Sequence, residues 1–406
     1  MKSPGKTADV VIAGAGIAGI ATAHRLAVQH GIRRVVLVDP LAPLSFTSNK
    51  SGANYRDWWP RRPMVELARR SIEIMRDLHE GAEADGAPFL MNRRGYLYVS
   101  READFPKVVV DLLRPYREAG NEDADILLAD DVQRRYPHFV EGVTGAVHAR
   151  NAGTIDTIGL GRYLLMEAVG KGVRVVRGSV AAVAISGGRV ASVTLTDGGA
   201  TGMIATEQFI NAAGPFAGHV ARLVECDLRL VNVHQQKVAF ADPRRVVPED
   251  APFTISLGPM GALPSGLHMK SDVMVGAPVI KLGCACNQEP EEPRWEPEGT
   301  ESFPSRVLEA AARLVPALES YLPDNPKVLA HDVGYYTKTP DELPLIGAVG
   351  PTGSWVVGGL AGFGAMVACG AAEIVGGLIT GSSPPAWSVA FRPDRRQVPE
   401  GGTGAL

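Results

Sequence analysis

The sequence predicts an α/β fold in which a lobe built on a parallel sheet is interleaved with an α+β lobe built on a mostly antiparallel sheet. Three observations carry this. The chain opens on a β-branched run, Val10-Val11-Ile12, followed by a glycine-rich turn, a small-residue amphipathic stretch and a second run, Val35-Val36-Leu37-Val38-Asp39. That order reads as strand, turn, helix, strand. Similar strand-and-glycine patterns return at 208–214 and 354–364, while two strand-like runs at 231–240 and 273–282 bracket a middle rich in Pro and Gly.

The first unit is Rossmann-like and predicts a bound dinucleotide. Gly14 suits the tight turn, Gly16 the close approach of backbone to a pyrophosphate, and Gly19 the close packing of helix on sheet. The unpaired N–H groups of the helix then face the anion. Asp39 ends the second strand where a carboxylate accepts hydrogen bonds from ribose hydroxyls and repels a 2′-phosphate, which disfavours NADP. Gly14, Gly16, Ile17, Ala18, Gly19, Asp39 and Pro40 are therefore the first candidate cofactor contacts.

Composition excludes several classes. The 406 residues support a large buried core, and a formal charge of −3 with no basic stripe argues against a nucleic-acid partner. Four cysteines are too few for a disulfide framework, and Cys284-Ala285-Cys286 lacks the partner pair of a zinc site, so no metal is expected and reduced thiols in the cytoplasm are. Lys2 and Lys6 before an apolar run imitate a secretory signal, but the run holds the glycine triplet. The stretch 354–380 is apolar and long enough to span a bilayer, yet it is rich in glycine and holds Glu373, which favours a strand, a turn and a buried small-residue helix.

Between these units the periodicity predicts a helix over 65–79, a strand at 96–99 and a helix over 105–119. The runs 172–176 and 189–196 flank a Ser186-Gly187-Gly188 turn and predict sheet with a hairpin, before a strand and turn at 208–214. The acidic, proline-rich 289–299 predicts an exposed excursion. The expected organisation is a cofactor lobe from 7–90, 145–222 and 331–381, a substrate lobe from 91–144 and 223–330, and a loosely held tail over 382–406.

Three later motifs give the chain a family likeness. They are Ile210-Asn211-Ala212-Ala213-Gly214-Pro215-Phe216-Ala217-Gly218, Tyr336-Thr337-Lys338-Thr339-Pro340-Asp341-Glu342-Leu343-Pro344-Leu345-Ile346-Gly347, and Gly358-Gly359-Leu360-Ala361-Gly362-Phe363-Gly364. With the glycine triplet, they make the chain from Asp9 to about Arg395 resemble the D-amino-acid-oxidase family of FAD-dependent amine oxidoreductases. The resemblance implies FAD, and by similarity adds Ser48, Ser51, Gly52, Ala53, Val180, Ala213, Gly214, Gly359, Gly362, Phe363, Gly364 and Ala365 to its contacts. A glycine turn entering the last helix presents a positive dipole end to the charge that grows on a reduced flavin.

The resemblance also implies roles in catalysis. Arg56 matches an arginine kept near the reactive face of the flavin, and Lys281, in Lys281-Leu282-Gly283, matches the lysine with which sarcosine-oxidising members help oxygen accept an electron. Trp58, Trp59, Tyr335 and Tyr336 are candidates for the substrate cavity wall, with packing in an aromatic core as the other reading of each. Gly334 stands where some members attach flavin through a cysteine, so FAD is expected to be non-covalent there. Met366 and Ala285 replace a lysine and a histidine of sarcosine-oxidising members, which disfavours a simple N-methyl amino acid. The expected activity is oxidation of an amine or amino acid at its C–N bond, with hydride passing to flavin and oxygen or another acceptor completing the cycle. The alternative is an assembly factor or subunit in which FAD is structural.

Overall fold

The computed structural model describes residues 7–81, 88–264, 266–274, 276–323 and 327–396. The Lys2 and Lys6 of the signal-like segment lie outside them. The opening run forms the strand Val10–Ala13, and the second run the strand Val35–Asp39, paired in parallel. Between them the helix Ile17–His24 continues into a π turn, Arg25–Gln29. The strand Phe209–Asn211 joins on the other side of Val10–Ala13, and Ser354–Gly358 pairs with it in turn. Arg174–Arg177 extends the far edge and Leu345–Ala348 closes the near edge antiparallel, giving a six-stranded sheet from four separated parts of the chain.

Small residues let the helices of this lobe lie close together. The helix Gly364–Ile379 packs on Ile17–His24 and on Arg62–Gly81. A Cβ at Gly370 would stand 2.9 Å from the Leu67 carbonyl oxygen, so backbones meet here with no room for a side chain. The acid inside this apolar run, Glu373, takes a bidentate bond from Arg70 at 2.7 and 2.8 Å and an ion pair from Arg25 at 3.0 Å. No helix among the described residues is long and apolar enough to cross a membrane.

The second sheet has eight strands in the order 328–338, 231–241, 277–284, 267–274, 253–256, 96–100, 145–149 and 124–128, antiparallel but for the pair of Phe253–Ser256 with Tyr96–Ser100. Alternation divides its faces. Val238, Phe240, Met269, Ile280 and Leu282 point to one side and form a buried cluster with Val307, Leu308 and Ala311 of the helix Phe303–Ala312. The opposite side carries Lys237, Lys270, Asp272, Lys281 and Asp332, brought to one face by the pairings Lys237↔Asp332, Ala239↔Lys281 and Lys270↔Lys281. This charged face looks toward the first lobe.

Several elements differ from expectation. The run 273–282 is a hairpin, Leu267–Met274 and Ala277–Cys284, turning at Gly276 with φ +77°. Apolar residues on both sides of that turn hide it from a periodicity reading. The Gly187–Gly188 hairpin joins Ser179–Ser186 to Arg189–Asp197, whereas Arg174–Arg177 leaves for the parallel sheet. Strands Gly145–Ala149 and Val328–Lys338, which begin at or run across the boundaries expected at 144/145 and 330/331, both belong to the eight-stranded sheet. The tail docks as far as Arg395: Phe391 is fully buried and Arg395 makes a bidentate bond to Asp341 at 2.8 and 2.9 Å.

Candidate functional site

The glycine turn is built as its sequence demands. Gly14 has φ +106°, and a Cβ there would lie 2.3 Å from the Ala212 carbonyl oxygen of the adjoining strand. A Cβ at Gly19 would meet the Gly14 carbonyl oxygen at 1.9 Å, which is why the helix can enter so close to the sheet. Asp39 is drawn back onto this turn. Its carboxylate accepts the Ala15 N–H at 2.7 Å and the Leu41 N–H at 2.8 Å, and burial raises its pKa against those bonds.

In front of the turn lies a cavity of about 270 Å³, lined among others by Gly14, Gly16, Ile17, Ala18, Asp39, Pro40, Ser48, Val180, Ala213, Gly214, Gly359 and Gly364. A second cavity of about 120 Å³ shares Ile17, Ser48, Gly364 and Tyr335 with the first and adds Ser51, Gly52, Tyr336, Gly362 and Ala365. All of these are residues singled out from sequence, brought together from five distant segments. The Ser48 hydroxyl accepts the Ile17 N–H at 2.9 Å and ties the 47–50 loop to the helix N-terminus. Ala53 adopts φ +54° beside Gly52.

Some expected residues stand elsewhere. Gly19, Ala53 and Phe363 line neither cavity: the first serves helix packing, the second turns the chain beyond Gly52, and the third precedes the last helix with its ring edge-on to Trp59 at 4.4 Å. Trp58 and Trp59 do not wall the cavities. They are buried in different clusters, Trp58 stacked on Tyr116 at 5.0 Å and Trp59 among the helices of the first lobe, because successive residues of the extended segment turn toward opposite lobes. Arg56 is also buried, bonded to the Tyr98 hydroxyl and 4.3 Å over the Trp59 ring, and it lines neither cavity. Lys281 is on the charged sheet face but off both linings, its Nζ 2.7 Å from Asp272.

The eight-stranded sheet contributes residues that motif reading missed. Gln235, Lys237, His268 and Asp332 line the second cavity together with Lys50 and Thr157. Asp332 bridges two lysines, Lys237 at 2.6 Å and Lys50 at 2.9 Å. Burial lowers the Lys237 pKa against the pull of Asp332. Burial also pushes His268 down to about 4, so it is neutral near pH 7. Polar residues inside an otherwise apolar strand were the available signal for Gln235 and Lys237. Asp332 needed the strand register.

The residues present fit FAD. The glycine cradle leaves room only for backbone approach. Thr47 Oγ1 and Thr157 Oγ1 are buried at the cavities with no hydrogen-bond partner among the described residues. No side chain caps the helix Gly364–Ile379, whose first residues, Gly364 and Ala365, line the second cavity. Gly334 offers no nucleophile to a flavin there.

Comparisons with solved structures agree with this fold. The fold is similar to that of L-proline dehydrogenase from P. horikoshii, with TM-score 0.82 and 20% identity over 97% of this chain and 100% of that one. Glycine oxidase from Geobacillus kaustophilus superposes with TM-score 0.79 at 18% identity, covering 96% of this chain and 98% of that one. L-α-glycerophosphate oxidase from Mycoplasma pneumoniae, with FAD bound, gives 0.72 at 16%, covering 94% and 97%. No curated protein matches the chain. The family model described as FAD dependent oxidoreductase (DAO) matches residues 9–378, and the chain belongs to that family.

Proposed function

We propose that this protein oxidises the C–N bond of an amine that also carries a carboxylate. The observation that supports it is the lining of the second cavity: the uncapped N-terminus of Gly364–Ile379 on one side, Lys50 and Lys237 on the other. Bound FAD supplies the acceptor for a hydride from the substrate carbon. Gly14, Gly16, Ser48, Asp39 and Val180 would hold its nucleotide part, and Gly362, Gly364 and Ala365 its redox end.

With Asp332 set against them, the two lysines leave the cavity a net positive charge of one, which attracts a carboxylate and disfavours an ammonium, so the cavity favours the amine in its neutral form. The reaction rate therefore rises with pH through the pKa of the bound amine. Neutral His268 and the Tyr336 hydroxyl give the cavity hydrogen-bonding groups without further charge. Lys281 keeps the proposed role of a fixed cation that stabilises a nascent anion of oxygen, supported by its place beside Lys237 on the charged face. Arg56 is proposed as a positioning residue that orders the buried rings of Trp59, Tyr96 and Tyr98 around its guanidinium. Four unpaired cysteines suit a cytoplasmic site of action.

An absorption spectrum of the purified protein, followed by anaerobic mixing with secondary amines, amino acids and their acid-free analogues, tests the proposal. The yellow band should fade with the acid-bearing amines. A bound flavin that none of them bleaches would leave the structural-flavin reading in its place.

A further inference from the structure

The acidic segment between Cys284 and Phe303 has no regular secondary structure and is largely exposed, as its composition predicts, yet it is fastened along its length. Asn287 exchanges bonds with Gln235 at 2.7 and 3.3 Å and donates to the His234 carbonyl at 2.9 Å. The Glu291 N–H reaches the Asn232 carbonyl at 2.9 Å, and the Arg294 N–H reaches the Tyr335 hydroxyl at 3.1 Å. Glu291 pairs with His234 at 3.2 Å, and Glu292 crosses to His219, in the helix Ala217–Arg222 of the first lobe, at 3.1 Å. Pro290, Pro293 and Pro297 restrict the backbone and lower the cost of this ordering.

This strap delivers one large side chain to the first cavity. Trp295 lines it, stacked on Phe216 with centroids 4.0 Å apart and rings inclined 25°, and 5.2 Å from Phe46. Phe46 also touches Tyr335, at 6.3 Å, and Tyr335 lines both cavities. The aromatic group thus walls the first cavity beside Tyr335, the residue that borders both cavities, and Trp295 itself is 45% exposed.

We propose that Trp295 is a cofactor-binding residue supplied by the second lobe, and that the 287–299 strap clamps the dinucleotide where it passes from one cavity to the other. The inference rests on FAD occupying these cavities. The clamp resists release because the ligand leaves only after the Phe46–Trp295–Phe216 group parts.

The test is the rate of FAD release from the loaded protein, read as the rise of flavin fluorescence on large dilution into flavin-free buffer. Trp295→Ala should release FAD about tenfold faster, and Trp295→Phe should stay near wild type, since it keeps an aromatic face. Glu292→Gln, which loosens the cross-lobe pair without touching the cavity, should speed release by a smaller factor. Trypsin cleavage after Arg294 should be slower in loaded protein than in protein stripped of FAD. Release from Trp295→Ala at the wild-type rate, or cleavage indifferent to FAD, would overturn the clamp while leaving the oxidoreductase reading intact. A wild-type protein that takes up no FAD would overturn both.

Discussion

Lys237 and Asp332 face each other across neighbouring antiparallel strands, Nζ 2.6 Å from Oδ2, at the edge of the second cavity. The other carboxylate oxygen takes Lys50, from the loop that caps the first helix, so one acid joins the two lobes. Burial by itself would raise the Asp332 pKa, but Lys237 and Lys50 pull it below the ordinary carboxylate value. A folded value below the unfolded one gives stability that is complete above about pH 4 and is lost as pH falls through the folded value. Asp332→Asn should cost about 1–3 kcal/mol near neutral pH and remove part of the acid-side slope of the melting temperature. Identical slopes in wild type and variant would show that the bridge carries no linkage.

Lys270 presents the opposite sign. It is buried, 3.5 Å from Asp272 and 3.4 Å from the Asn54 side-chain oxygen, and burial pushes its pKa down to about 8. Below that value the charge is present in both states and its desolvation cost is complete; between about pH 8 and 10.5 the unfolded chain binds the extra proton and stability rises with pH. Asp272 keeps Lys281 as its partner at 2.7 Å, so Lys270→Met should stabilise the fold at pH 7 by about 2–3 kcal/mol, the cost of a pKa depression of this size, with the gain narrowing at pH 9.5. Urea unfolding at the two pH values checks this. A variant less stable at pH 7 would contradict it.

The glycine turn makes a steric prediction. Gly14→Ala and Gly19→Ala each force a Cβ onto a carbonyl oxygen, at 2.3 and 1.9 Å, and should each cost about 2–5 kcal/mol and lower the flavin content of purified protein. Gly218→Ala is the control, because a Cβ there meets nothing within 4 Å. Melting temperatures that rank Gly19→Ala with Gly218→Ala would remove the packing argument.

Lys281 and Lys237 should separate kinetically. Lys281→Met is expected to slow reoxidation by oxygen about tenfold or more while leaving anaerobic reduction by substrate unchanged. Lys237→Met is expected to raise KM for acid-bearing substrates through loss of a charge that lines the cavity. Stopped-flow measurement of the two half-reactions distinguishes them, and a Lys281→Met protein that reacts with oxygen at the wild-type rate would end that assignment.

Local chemistry made much of this molecule readable before any fold was known. Gly14, Gly16, Gly19 and Asp39 announce a nucleotide cradle because turn, close approach and terminal carboxylate are each demands on one residue type within one supersecondary unit. The helices at 62–81 and 364–379 and the strand at 96–100 follow from periodicity, which is likewise local. What lay beyond reach depended on partners distant in the chain. Only the tertiary structure decided that Asp332 meets Lys50 and Lys237, that Trp58 and Trp59 enter separate cores, and that a polar loop carries Trp295 to a cavity made by the other lobe. A residue's type limits the contacts it can make. Which of them it does make is set by strand register and lobe packing, and those are properties of the whole folded chain.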